Sequence, residues 1–80
     1  MKSASQIKQQ QAKELIAVIK YAGSQAKLAR ACGVSRQVVN EWVKVGRISE
    51  FGATTIDRVT SGYFKREEMR PDVVSWRYEL

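Results

Sequence analysis

Histidine is absent from this chain of 80 residues, and cysteine and proline occur once each. Without histidine the chain lacks the commonest general base and metal ligand. Cys32 alone cannot build a zinc cage or close an intrachain disulfide, which fits a reducing cytoplasm. Long apolar runs are missing too. The longest, Leu15-Ile16-Ala17-Val18-Ile19, falls far short of the roughly 20 residues needed to span a bilayer. The opening Met-Lys-Ser-Ala-Ser-Gln leads into polar residues with no signal-peptide core. No Gly-rich phosphate loop appears. The carboxylates of Glu14, Glu41, Glu50, Asp57, Glu67, Glu68, Asp72 and Glu79 are scattered, and the adjacent Glu67 and Glu68 would not face each other on a helix. Enzymatic chemistry therefore lacks its usual parts, and neither cofactor nor metal is expected.

What is present is positive charge, unevenly spread. The net charge is +6. Residues 1–47 hold nine basic side chains against Glu14 and Glu41, whereas residues 48–80 hold five against six acidic ones. A basic half of this kind is suited to a polyanion.

That half contains a run with demanding spacing, Gln25 to Lys44. Ala29 sits where two helices of a helix-turn-helix pass closest, and only a small side chain fits there. Gly33 follows four residues later, at a chain exit that favours positive φ, which glycine adopts at little steric cost. Leu28, Cys32, Val34, Val39 and Trp42 occupy the positions that close the angle between the helices. Cys32 reads as a small buried apolar side chain. Ser24 and Ser35 stand where a hydroxyl accepts an otherwise orphan backbone N–H, and Gly23 can end the helix before. Helix 3 then starts at Arg36, with Val38, Val39, Trp42 and Val43 as its apolar stripe and Arg36, Gln37, Asn40, Glu41 and Lys44 opposite. About ten residues at 1.5 Å each give a rod of roughly 15 Å, fit for a major groove about 12 Å wide.

The length suits one small domain with a single core. Residues 1–12 form a polar N-terminal extension that either prolongs the first helix or frays from it. Residues 13–71 form the domain, with helix 1 over Lys13–Ala22, helix 2 over Gln25–Cys32 and helix 3 over Arg36–Val45. Ile48 is the expected core anchor of the next connection. Helix 4 is expected over Phe51–Ser61, with Phe51, Ile56 and Val59 inward and Gly62 as terminator. Its Gly52, Thr54, Thr55 and Val59 are weak helix formers, so packing must hold it. Lys65–Met69 suits one more turn before Pro71. Residues 72–80 form a tail, either a β-strand or a docked arm.

Residues 23–42 resemble the Cro-type repressors of lambdoid phages. Ile56-Asp57-Arg58-Val59-Thr60-Ser61-Gly62 together with Glu67-Glu68-Met69-Arg70-Pro71-Asp72-Val73 narrows the likeness. The chain resembles the YdaS-like helix-turn-helix family of Cro and antitoxin proteins over about residues 14–73. It departs from that family in its Gln-rich start and at Ser49-Glu50-Phe51, where such proteins often carry proline. The resemblance implies an all-α, four- to five-helix domain of the lambda-repressor and Cro type with a short C-terminal tail. It implies a prophage transcriptional repressor bound to a double-stranded DNA operator as a homodimer.

By position the resemblance puts Arg36, Gln37, Asn40 and Glu41 at base edges. Ser24, Gln25, Lys27, Arg30, Ser35, Lys44 and Arg47 fall at the phosphates. The side-chain chemistry agrees, since Arg grips guanine O6 and N7, Gln and Asn pair with adenine N6 and N7, and Glu accepts from cytosine. Glu41 can instead orient Gln37 and Lys44 along the helix. The apolar tail residues Val73, Val74, Trp76, Tyr78 and Leu80 are the dimerisation candidates, although they serve equally well as a cover for the monomer's own core. A second reading makes the chain an antitoxin-type interaction module whose partner is a toxin protein. An RNA-binding module is the weaker third, for want of exposed aromatics among the basic residues.

Overall fold

Four serines start four helices. In the computed structural model, which describes residues 3–78, Ser3, Ser24, Ser35 and Ser49 each accept a backbone N–H from three residues on, at 3.0–3.3 Å. Each hydroxyl satisfies one of the donors a helix start leaves orphaned. The helices that follow are α1 (Ala4–Ala22), α2 (Gln25–Cys32), α3 (Arg36–Val45) and α4 (Glu50–Val59). A short α5 (Arg66–Met69) and a 3-10 turn (Val74–Tyr78) follow, so every element among the described residues is helical.

α1 starts nine residues before the expected Lys13, because its start is local chemistry and not apolar periodicity. Ser3 and Gln6 form a reciprocal capping box, with the Ser3 N–H donating to Gln6 Oε1 at 2.9 Å. Residues 4–12 thus continue α1 without a break. Gln10 and Gln11 then hold this added length to the end of the domain, donating to the Glu68 carbonyl and to Asp72 Oδ1, each at 2.8 Å.

The core is one cluster. Leu15 and Val18 of α1 meet Leu28, Ala29 and Cys32 of α2, Val39 and Trp42 of α3, and Ile48, Ala53, Ile56 and Met69. Ile48 is fully buried, as its anchor role requires.

α4 is rotated from its expected register. Gly52, Ala53, Thr55 and Ile56 face inward, whereas Phe51 and Val59 stay 63% and 50% exposed. The reason is the indole of Trp42. A Cβ on Gly52 would stand 2.5 Å from Trp42 Cζ2, so α4 approaches α3 on its smallest residues. The helix stops at Val59, where Thr60 Oγ1 donates to the Ile56 carbonyl and accepts from the Phe64 N–H.

Among the described residues the tail is a docked arm, with no strand. Trp76 packs on the core, with the Arg66 guanidinium 4.8 Å from its ring centroid. Such a cation over an aromatic face adds about 0.5–1 kcal/mol.

Candidate nucleic-acid interface

α2 and α3 cross where the sequence places its smallest residue. Ala29 is 3% exposed, and the chain leaves α2 through Gly33 at φ 69°. The Val34 N–H returns to the Ala29 carbonyl at 2.9 Å, which satisfies a terminal carbonyl of α2 and turns the chain sharply. Ser35 then caps α3 at once. Val39 and Trp42 point into the core, and the Gly46 N–H closes the helix on the Trp42 carbonyl at 2.8 Å. Trp42 is thus held at its ring by Gly52 and at its backbone by Gly46. The orientation of α3 follows from that anchorage.

Burial of one side of α3 leaves the other free. Arg36, Gln37, Asn40, Glu41 and Lys44 are all exposed. A shallow groove between them is lined by Ser35, Gln37, Val38, Asn40, Glu41 and Lys44. Lys44 Nζ lies 3.8 Å from Glu41 Oε1, with each side chain 65% exposed. An ion pair this exposed contributes little to stability, though it biases where the Glu41 carboxylate points.

Val38 is the groove residue that sequence reasoning missed. Expected in the buried stripe, it is 38% exposed beside the polar side chains, and Val43 at the other edge is 40% exposed. The signal was available, because only Val39 and Trp42 sit at the centre of the apolar arc.

The expected phosphate-contacting residues bracket this face. Ser24 and Gln25 are half-buried at the start of α2, and Lys27 and Arg30 stand exposed along it. Ser24 and Ser35 already use an oxygen lone pair as caps, yet each keeps its O–H to donate to an anion. Arg47 is exposed just past the end of α3. Cys32, by contrast, is buried, and burial pushes its thiol above the ordinary 9.0, so it stays protonated and inert.

The tail residues separate. Trp76 is spent on its own core, Val73 is half-buried and Val74 is 53% exposed. Leu80 lies outside the described residues. An exposed aromatic pair does occur among basic residues, contrary to expectation. Tyr21, next to Lys20, and Tyr63, two residues before Lys65, stack at 5.1 Å and are 61% and 69% exposed, with Phe64 edge-on to both. Each tyrosine turns one face to the other.

Residues 15–79 match the model of the family described as "Bacterial toxin YdaS". The chain belongs to the YdaS family. Over 57 residues it is 40% identical to a protein of Escherichia coli (strain K12) named "Putative transcriptional regulator YdaS". That alignment covers 70% of this chain and 57% of the relative, so the chain spans little more than half of the relative's length. No solved structure matches. The YdaS match begins at Leu15, so the capping box and the Gln10–Gln11 clasp lie outside the matched segment. Among the described residues of this YdaS chain, no helix is long and apolar enough to cross a membrane.

Proposed function

We propose that this chain is a sequence-specific regulator of transcription, a repressor of prophage type that reads double-stranded DNA through the major groove with α3. The observation that carries the reading is the division of α3. Val39 and Trp42 lock one side into the core, and five polar side chains with bidentate or charged ends leave the other. Arg36 and Gln37, at the helix start, penetrate deepest and pair with guanine and adenine edges. Asn40 reads the next step. Glu41, steered by Lys44, accepts from cytosine, and Val38 offers an apolar surface to a thymine methyl. Ser24, Gln25, Lys27, Arg30, Ser35, Lys44 and Arg47 neutralise or donate to phosphates and set the register without specifying it. The relative's name as a transcriptional regulator supports the same reading.

The antitoxin-type alternative draws on an apolar tail free to meet a partner. Trp76, the largest described side chain there, is already packed on the core, so the DNA reading has the stronger support. Selection of duplexes from a random library, followed by sequencing, tests it. An enriched motif that is lost with Arg36→Ala is the expected result. Recovery of no motif overturns the reading.

A further inference from the structure

The added length of α1 reaches the end of α3. Lys8, Gln11 and Ala12 of α1 line one hollow together with Val45, Gly46 and Arg47, where the chain leaves α3. Lys8 and Arg47 are both exposed, and no acidic side chain lines the hollow. Among the described residues neither cation forms an ion pair. Lys8 stands on well-anchored helix. The capping box of Ser3 and Gln6 starts α1, and Gln10 and Gln11 tie its next turn to the Glu68 carbonyl and to Asp72 Oδ1, each at 2.8 Å.

The hollow holds more positive charge than the fold requires. The last carbonyls of α3 carry partial negative charge, and Lys44 in its last turn already offsets it. Arg47 adds a second cation, and Lys8 a third from another helix. Like charges left uncompensated repel, and an anion seated here would relieve them. The hollow is also continuous with the polar face of α3. Val45 and Arg47 line both this hollow and the concavity beside Trp42, and Glu41 joins that concavity to the groove of Gln37 and Asn40. A rod lying in a major groove has a phosphate strand along each wall. At the end of α3, Lys44 is shared with Glu41 at 3.8 Å, which leaves Arg47 and Lys8 to meet the strand there.

We propose that Lys8 binds a DNA backbone phosphate beside the one met by Arg47, so that the first turns of α1 form a phosphate clamp at the end of α3. The clamp rests on the DNA-binding reading and extends it to a part of the chain outside the matched family segment. A contact of this kind raises affinity and sets register without reading sequence.

The test titrates the full chain against the duplex recovered by library selection and against a random duplex, from low to physiological salt. Lys8→Ala should melt as wild type does, bind both duplexes about five- to tenfold more weakly near about 0.1 M salt, and lower the salt slope by about 0.9 per bound copy. Lys8→Arg should restore affinity and slope. Arg58→Ala removes the same charge from a separate hollow between α4 and α5, and should leave the slope unchanged. Wild-type affinity and slope in Lys8→Ala overturn the clamp and leave the DNA reading standing. An equal loss in Arg58→Ala also overturns it, because the effect would then be one of net charge. So does a loss confined to melting, which would make Lys8 a counter-charge to the α3 dipole. If wild type binds neither duplex in a salt-dependent way, the DNA reading itself fails and the clamp falls with it.

Discussion

Arg70 meets Asp72 fork to fork, with Nε 2.8 Å from Oδ1 and Nη2 2.7 Å from Oδ2. The guanidinium is 9% exposed, and its Nη1 donates to the carbonyl of Ile48 at 3.1 Å, while Gln11 of α1 adds a donor to Asp72 Oδ1. One ion pair thereby ties the start of the tail to α1 and to the connection that follows α3. Both partners gain charge stabilisation from it. The hydrogen bonds from Arg70 hold the Asp72 carboxyl down at about 2, against an ordinary 3.8. Desolvation opposes that shift and loses.

Acid should release this clasp. A carboxylate whose pKa falls on folding contributes stability that is complete above its unfolded value, near pH 4, and is lost as pH falls toward about 2. Asp72 keeps 31% side-chain exposure, so screening reduces the contribution to about 1–2 kcal/mol. Melting of wild type and Asp72→Asn across pH 7 to 2 is the measurement. Wild type should be the more stable at neutral pH, with the gap closing between about pH 4 and 2. A gap that stays constant over that window would show that the pair does not titrate as the geometry requires.

Gly52→Ala should destabilise the domain even though alanine is the better helix former by about 1 kcal/mol. The added methyl would stand 2.5–2.8 Å from Trp42 Cζ2, Trp42 Cη2 and Ile48 Cγ2, none of them the end of a flexible chain. Overpacking of this kind costs about 1–3 kcal/mol beyond the propensity gain. Trp42→Ala, which empties the same contact from the other side, should cost about 3–5 kcal/mol. In the double variant the clash with the indole vanishes and only that with Ile48 remains, so the two losses should fall short of additivity. Urea unfolding of all three variants measures this.

These two contacts also mark what was legible in the sequence. The boundaries of α2 and α3 were readable because Ser24, Gly33 and Ser35 act within three or four residues, and the helix-turn-helix spacing is equally local. The register of α4 was not. Periodicity places the large Phe51 and Val59 inward, whereas the real determinant is the volume of Trp42, ten residues away in sequence, against which Gly52 leaves no room for a Cβ. The burial of Gln11 depends on Asp72, 61 residues on, and no pattern within α1 announces it. The capping box of Ser3 and Gln6, by contrast, is local and lies in the sequence, although no apolar period accompanies it. For the interface, side-chain types and spacing were enough to name the polar face. The exposure of Val38 was legible as well, since helical geometry puts it at the edge of an apolar arc centred on Val39 and Trp42.

Removal of a base reader should differ in kind from removal of a phosphate contact. Arg36→Ala or Gln37→Ala should cost about 1–3 kcal/mol on the preferred site and little on random duplex, because a bidentate pair discriminates among bases. Both side chains are exposed, so melting should not change. Lys27→Ala or Arg30→Ala should weaken both duplexes alike. Competition titrations on the two DNAs measure the contrast, and equal losses for Arg36→Ala would show that this face reads no bases.

Salt supplies the last expectation. Each phosphate neutralised by a lysine or arginine releases condensed counterion, and log K falls with log[salt] by about 0.9 per contact. Lys27, Arg30, Lys44 and Arg47 are exposed around the polar face of α3, and Lys44 is already shared with Glu41. Roughly three to four contacts per copy, in two copies, give an expected slope of about −5 to −7. On a single half-site the slope should be about half of that. Lys27→Ala should then reduce the half-site slope by about 0.9, whereas Gln37→Ala, which carries no charge, should lower affinity and leave the slope unchanged. Fluorescence anisotropy from low to physiological salt is the direct measurement. A flat titration would remove the electrostatic basis of DNA binding, and a slope change in Gln37→Ala would show that affinity and charge are not separable on this face.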